Sequence, residues 1–241
     1  MNKDREKRIL EILLKQKQVT VKALATELYA SEPSIRRDLM SLEKQNLLKR
    51  VHGGAVLEEH SDSYSRIPFV IRELENFDAK IVIARKAAEL VKDGDVIFLD
   101  ASSSAYAMIP FLAEKINITV ITSGVKALLK LGEYGIRTYS TGGRLLSTCL
   151  SLVDGDALET VSKYNAEYVF FSCRGVSPEG MATDFSIEEN LVRSRMIAHS
   201  RKSVLLCTSE KFNKTYMHNI CNVQRIDYVI SEIDGPVADV H

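Results

Sequence analysis

The chain has 241 residues, 45% hydrophobic and 27% charged, and its 32 basic and 32 acidic side chains cancel. That is enough chain for one or two domains with a sizeable core. No run of roughly 18 apolar residues exists, so no membrane-spanning helix is expected, and the charged start MNKDREKRIL lacks the apolar stretch of a secretion signal, which predicts a cytoplasmic protein. The neutral total hides an asymmetry: residues 1–57 carry a surplus of Lys and Arg over Asp and Glu, and the remainder balances it. A basic head on an acidic body is expected to bring only the head to a polyanion. The cysteines Cys149, Cys173, Cys207 and Cys221 show neither a C-x-x-C pair nor a His/Cys cluster at zinc spacing. Four free thiols are expected, three of them buried in or near strands, with no metal site and no cofactor.

In chain order, residues 4–16 place Ile9, Leu10, Leu13 and Leu14 at helical spacing. Thr20 is positioned to cap a second helix whose inner face holds Val21, Leu24, Ala25 and Leu28. A third helix starts at Ser31, a good N-cap residue, with Pro33 in its first turn. Ile35, Leu39 and Leu42 give it a buried stripe. At about 100° per residue, Arg37, Met40 and Lys44 then fall on the opposite face, with Ser34 and Arg36 on the flanks. Asp38 lies toward the buried side and reads as an intradomain ion-pair partner. Leu47 and Leu48 are expected to start a strand, followed by Lys49, Arg50 and His52 and then Gly53-Gly54. This is the layout of a helix-turn-helix with a β-wing: the third helix enters the major groove of double-stranded DNA, and the wing's cations grip phosphates. Arg36 and Arg37 suit a guanine edge or a phosphate, and Ser31 and Ser34 suit hydrogen bonds to phosphate or base edges.

The stretch VTVKALATELYASEPSIRRDLMSLEKQNLLKRVHGGAV resembles the winged helix-turn-helix of the DeoR family of bacterial repressors. The family's Thr-Ile-Arg-Arg-Asp-Leu is Ser34-Ile35-Arg36-Arg37-Asp38-Leu39 here, Ala30 stands for the usual Val, and Arg50-Val51-His52-Gly53-Gly54-Ala55 fits intact. A single winged head offers a small footprint, so a symmetric oligomer, a homodimer or homotetramer, reading paired operator half-sites is expected.

Residues 58–79, with Ser61, Asp62, Ser63, Ser65 and Pro68, read as a linker with a short helix around Val70–Leu74. From residue 80 to 241 strands and helices alternate. Strands are expected at 95–100, 118–123, 136–140, 166–172, 203–209 and 226–231, and helices at 81–91, 104–115, 124–132, 155–163 and 187–200. The result is an α/β fold with a mainly parallel, Rossmann-like sheet. Each of the first five strands ends in a small or polar cluster: Asp100 to Ser104, Thr122-Ser123-Gly124, Thr141-Gly142-Gly143-Arg144, Ser172 to Gly175, and Thr208 to Lys211. In an open parallel sheet these ends share one edge, where ligands bind. Hydroxyls, helix-start N–H groups, Arg144 and Lys211 there suit an anion such as phosphate.

The resemblance extends over this body. DeoR-type sensor domains resemble the ribose-5-phosphate isomerase fold and bind phosphorylated sugars, which implies a repressor of a sugar-metabolism operon relieved by such an effector. The family's Asp-x-Gly-Thr-Thr loop corresponds to Asp100-Ala101-Ser102-Ser103-Ser104, its Thr-Asn/Ser segment to Thr122-Ser123, its glycine turn to Gly142-Gly143, its helical acid to Glu189, and its Asp-Ser-Ser-Lys-Phe-Gly loop to Thr208 through Asn213. Three departures stand out. The first loop lacks its glycine, Arg174 replaces an acidic residue in Ser172-Cys173-Arg174-Gly175-Val176, and Thr208 replaces an Asp. The charge reversal at Arg174 implies a more anionic effector or weakened sensing. Two other readings stay open: a sugar-phosphate isomerase with an appended head, using Asp100, Glu189 and Lys211, and a constitutive DNA-binding protein whose body only oligomerises.

Overall fold

The computed structural model describes residues 2–57 and 67–233, which form two compact units. One runs through residue 57 and also takes in Val70–Glu75; the other is built from the rest. The linker residues 58–66 and the C-terminal residues 234–241 lie outside the described residues.

The head begins with α1 (Asn2–Gln16), β1 (Gln18–Thr20), α2 (Val21–Glu27) and α3 (Glu32–Lys44), and ends in the hairpin β2 (Lys49–Val51) and β3 (Gly54–Val56). Its core is the stripe read from the sequence: Ile9, Leu10, Leu13, Leu24, Ile35, Leu39 and Leu42 are all buried. Each such side chain contributes about 1.5–3 kcal/mol. Thr20 caps α2, its Oγ1 accepting from the Ala23 N–H at 3.1 Å. Ser31 is the N-cap of α3 by position, but its side chain makes no capping hydrogen bond. Two features differ from expectation. Leu47 and Leu48 are buried residues that precede the strand, which starts at Lys49. The strand β1, whose three residues are too short a run for alternation to reveal it, pairs with β3 to give the antiparallel order β1-β3-β2.

Next come α4 (Phe69–Leu74), α5 (Phe77–Ala88), β4 (Val96–Leu99), α6 (Ser103–Ala107), α7 (Ile109–Leu112), β5 (Thr119–Thr122), α8 (Val125–Glu133) and β6 (Arg137–Ser140). The helix expected over 104–115 is broken into α6 and α7, because Pro110 in the first turn of α7 has no N–H to continue the ladder. A hairpin, β7 (Arg144–Leu146) with β8 (Ser151–Val153), leads to α9 (Gly155–Val161) and β9 (Ala166–Phe171). The chain closes with β10 (Gly175–Val176), β11 (Met181–Asp184), α10 (Ile187–Ala198), β12 (Ser200–Leu206), β13 (His218–Asn222) and β14 (Tyr228–Ile230).

Six of these strands form one parallel sheet in the order β14-β12-β9-β4-β5-β6. Alternation along the strands feeds two cores. Ile97, Leu99, Val120 and Leu206 pack with α5 to α8, and Phe98, Ile121, Phe171 and Leu205 pack with α9 and α10. The hairpin β7–β8 and the small antiparallel sheet β10-β11-β13 were not expected from the sequence. Their strands of two to five residues carry no readable period. Cys149, Cys173 and Cys207 are buried and Cys221 is partly so, all four as free thiols. No helix among the described residues is long and apolar enough to cross a membrane.

Candidate functional site

On α3 the buried stripe turns Arg36, Arg37, Met40 and Lys44 into solvent. The Ser31 and Ser34 hydroxyls lie 2.9 Å apart, and Arg37 Nη2 donates to Ser34 Oγ at 3.3 Å, so three of the expected DNA contacts form one chain at the start of the helix. Arg36 donates to Glu32 one turn back at 3.2 Å. An exposed pair of that kind contributes under about 1 kcal/mol, so Arg36 can exchange Glu32 for a phosphate or a base edge at little cost. Asp38 is indeed buried and accepts both Nε and Nη2 of Arg5 on α1. This pairing raises the Arg5 pKa and fixes α3 against α1.

The wing brings Lys49, Arg50, His52 and Gly53 together as an exposed hairpin end. Arg50 is tethered to α3: its N–H donates to Glu43 Oε1 at 2.9 Å and its guanidinium lies 3.6 Å from Glu43 Oε2. Gly53 has φ +77°, which turns the hairpin, and a Cβ on Gly54 would stand 2.0 Å from the Val19 carbonyl oxygen. Both glycines are therefore demanded by the backbone.

At the carboxyl edge of the parallel sheet, Asp100 is the hub. Its Oδ1 accepts the Ser102 N–H at 2.9 Å, and its Oδ2 accepts the Ser172 N–H at 3.2 Å and Arg193 Nε at 2.8 Å. Arg193 was not among the residues singled out from the sequence. It lies on α10 with its side chain 4% exposed, and also reaches Asp184 at 2.9 Å, Asn190 Oδ1 at 2.6 Å and Glu189 at 3.9 Å. Burial works against its charge, but Asp184, Asp100 and Glu189 outweigh it and push the pKa up. A sequence signal existed: Arg193 sits between Val192 and Met196 on the inward face of α10, one turn after Glu189.

Lys211, in a short 3-10 turn over Ser209–Lys211, points Nζ at Ser172 Oγ (3.0 Å) and at the Cys173 carbonyl (2.8 Å). Ser102 Oγ caps α6 through the Ala105 N–H at 3.1 Å, Ser103 is buried in the first turn, and Thr122 Oγ1 accepts the Gly124 N–H at 3.0 Å. Ser123 anchors the hairpin, its carbonyl accepting the Leu152 N–H at 2.8 Å. Gly142 and Gly143 have φ of +66° and +97°, and a Cβ on Gly143 would stand 2.2 Å from the Val153 carbonyl oxygen. Arg144 is drawn away to Asp154 at 2.6 Å and Glu188 at 3.7 Å, which raises its pKa. Arg174 is partly buried, and its N–H donates to the Thr183 carbonyl at 2.9 Å. The loop that lacks the family's glycine needs no positive φ from Asp100 to Ser104. Ser104 Oγ, Thr208 Oγ1 and Glu189 Oε1 are buried without a hydrogen-bond partner. Asp100, Ser102, Ser172, Glu189, Arg193 and Lys211 thus form one connected polar group, while Arg144 joins the separate Asp154 and Glu188 pair.

Residues 5–61 match the family described as the DeoR-like helix-turn-helix domain, and residues 75–232 match the DeoR C terminal sensor domain. The chain belongs to the DeoR family. This DeoR-family chain is 35% identical to the uncharacterized HTH-type transcriptional regulator YulB of Bacillus subtilis (95% of this chain, 88% of that one). It is 30% identical to the L-fucose operon activator of Escherichia coli (96% of each) and 27% identical to the glycerol-3-phosphate regulon repressor of Escherichia coli (95% and 90%). Its fold is similar to eIF2B delta from Chaetomium thermophilum, with a TM-score of 0.51, 18% identity, and coverage of 69% of this chain and 62% of that one. A ribose 5-phosphate isomerase from Methanocaldococcus jannaschii matches at TM-score 0.44 and 19% identity, over 57% and 55%. The DeoR-family protein is a helix-turn-helix DNA-binding transcriptional regulator, and its α/β body is a sensor domain and not an enzyme.

Proposed function

We propose that this regulator represses a sugar-metabolism operon and leaves its operator when a phosphorylated sugar binds the body. The observation that carries the reading is the polar group at the strand ends. Lys211 Nζ is held by two acceptors, and Ser104 Oγ and Thr208 Oγ1 are buried without a hydrogen-bond partner. Each unpartnered group costs about 1–3 kcal/mol, which hydroxyls of a bound sugar would recover while Lys211 faces its phosphate. In this reading residues 1–57 are the DNA-binding domain, 58–79 the linker and 80–241 the sensor and oligomerisation domain, working as a cytoplasmic homodimer or homotetramer. The operator face is Ser31, Ser34, Arg36, Arg37 and Lys44, with Lys49, Arg50, His52 and Gly53 on the wing.

Release requires the effector to favour the state that binds DNA poorly. The experiment is thermal unfolding of the full chain against a panel of sugar phosphates, then DNA binding with and without any sugar that raises the midpoint. At a hundredfold excess over Kd a ligand adds about 2.7 kcal/mol of stability. Lys211→Ala is expected to keep DNA binding and lose the response. A panel in which no member moves either the midpoint or DNA affinity sinks the effector reading and leaves a constitutive DNA-binding protein.

A further inference from the structure

Tyr29 stands in the turn between α2 and α3 and is 97% exposed, the most exposed large hydrophobic residue among those described. Its φ is +50°, in the left-handed region that a bulky side chain rarely occupies. The ring buries nothing, so no packing contribution offsets that strain. The backbone there is tied to the helix by the Tyr29 N–H to the Thr26 carbonyl at 3.4 Å and the Ala30 N–H to the Ala25 carbonyl at 3.0 Å, contacts that any residue would make. Asn or Gly would occupy the position at lower conformational cost. A strained aromatic that does nothing for the fold is the pattern of a residue kept for a contact outside it.

Its location says which contact. Tyr29 is two residues before Ser31, so its Cα is within about 7 Å of the point where the Ser31–Ser34–Arg37 chain begins. The nearest acidic residue on α3, Glu32, is engaged by Arg36. A phenol combines a flat apolar body with a hydroxyl donor, the chemistry that suits a deoxyribose edge and its phosphate.

We propose that Tyr29 is a DNA-backbone contact: its hydroxyl donates to a phosphate beside the bases faced by α3, and its ring lies on the adjoining sugar. It positions α3 and does not read sequence. The proposal rests on α3 being the DNA-facing helix, so Arg37→Ala is measured beside it.

The test uses the full chain and two probes, the tightest duplex that the parent enriches from a random library and a random-sequence duplex at low salt. Tyr29→Asn is expected to bind both about tenfold more weakly, with amide exchange in α2 and α3 no faster than in the parent, because Asn accepts the left-handed backbone. Tyr29→Phe is expected to fall between the two. Unchanged affinity for Tyr29→Asn overturns the proposal, as does a loss confined to the enriched duplex, which would make the contact one to a base. A loss accompanied by faster exchange in α2 and α3 also overturns it, since Tyr29 would then be supporting the fold. A changed sedimentation profile with unchanged DNA affinity overturns it in favour of contact with a second copy of the chain. If Arg37→Ala also binds as the parent does, the assignment of α3 fails; if only Tyr29→Asn does, the Tyr29 proposal fails alone.

Discussion

On α3, Arg36 and Arg37 stand in solvent with single contacts longer than 3 Å to Glu32 and Ser34. On α10, Arg193 is 4% exposed and is met by Asp100, Asp184 and Glu189. The same side chain serves opposite ends in the two units. In the head the cations are held loosely by partners that cost little to leave, so a polyanion can take their place. In the body the cation is already neutralised by the protein, so its service is to fix the loops that carry Asp100, Ser172 and Lys211. A guanidinium that is to meet a ligand is left underbonded, and one that shapes a site is saturated.

The largest effect should come from breaking the saturated end. Arg193→Met leaves buried carboxylates without their cation and is expected to lower the stability of the full chain by about 3–5 kcal/mol in urea unfolding. An unchanged midpoint would show that those carboxylates do not depend on Arg193. Asp38→Ala tests whether the head also relies on an internal pair: stripping Arg5 of its acceptor should cost about 1.5–3 kcal/mol, seen as faster amide exchange in α1 and α3. Arg37→Ala should sharpen the contrast, costing about 1–3 kcal/mol of operator affinity if it touches a base while leaving the urea midpoint where it is. Smallest is a pH effect at Glu232. Burial would raise its pKa, but the Ser209 N–H and hydroxyl and the Ser231 hydroxyl outweigh burial and hold it below the ordinary value. Its contribution is therefore present above about pH 4.3, the unfolded value, and lost as pH falls through the folded one. Glu232→Gln should flatten the acid limb of stability by under about 1 kcal/mol, measured as urea midpoints between neutral and acid pH.

What was legible in the sequence followed from local period. The stripe Ile35, Leu39 and Leu42 fixed which face of α3 is wet, and with it the inward turn of Asp38. The six strands of the parallel sheet lie within the expected segments except β12, which starts three residues early at Ser200. What escaped depended on partners distant in the chain. Arg193 reads as one more charge on a helix until Asp100, 93 residues away, is seen to accept its Nε. Arg144 reads as an anion ligand until the hairpin carries it to Asp154. Strands as short as β1 and β10 exist only because β3 and β11 lie beside them.

Because β1 pairs with β3 residue for residue, and the Val21 N–H at the start of α2 donates to the Gly53 carbonyl at 2.8 Å, the hairpin tip is riveted to the helices behind it. Helix and wing thus behave as the two fixed jaws of a caliper. In the proposed DNA-binding mode little ordering entropy would be lost on meeting a duplex, because the gauge is set in advance. If α3 and the wing meet DNA as proposed, a site whose groove width or phosphate spacing departs from that gauge has to bend to fit, and DNA stiffness would then contribute to operator choice.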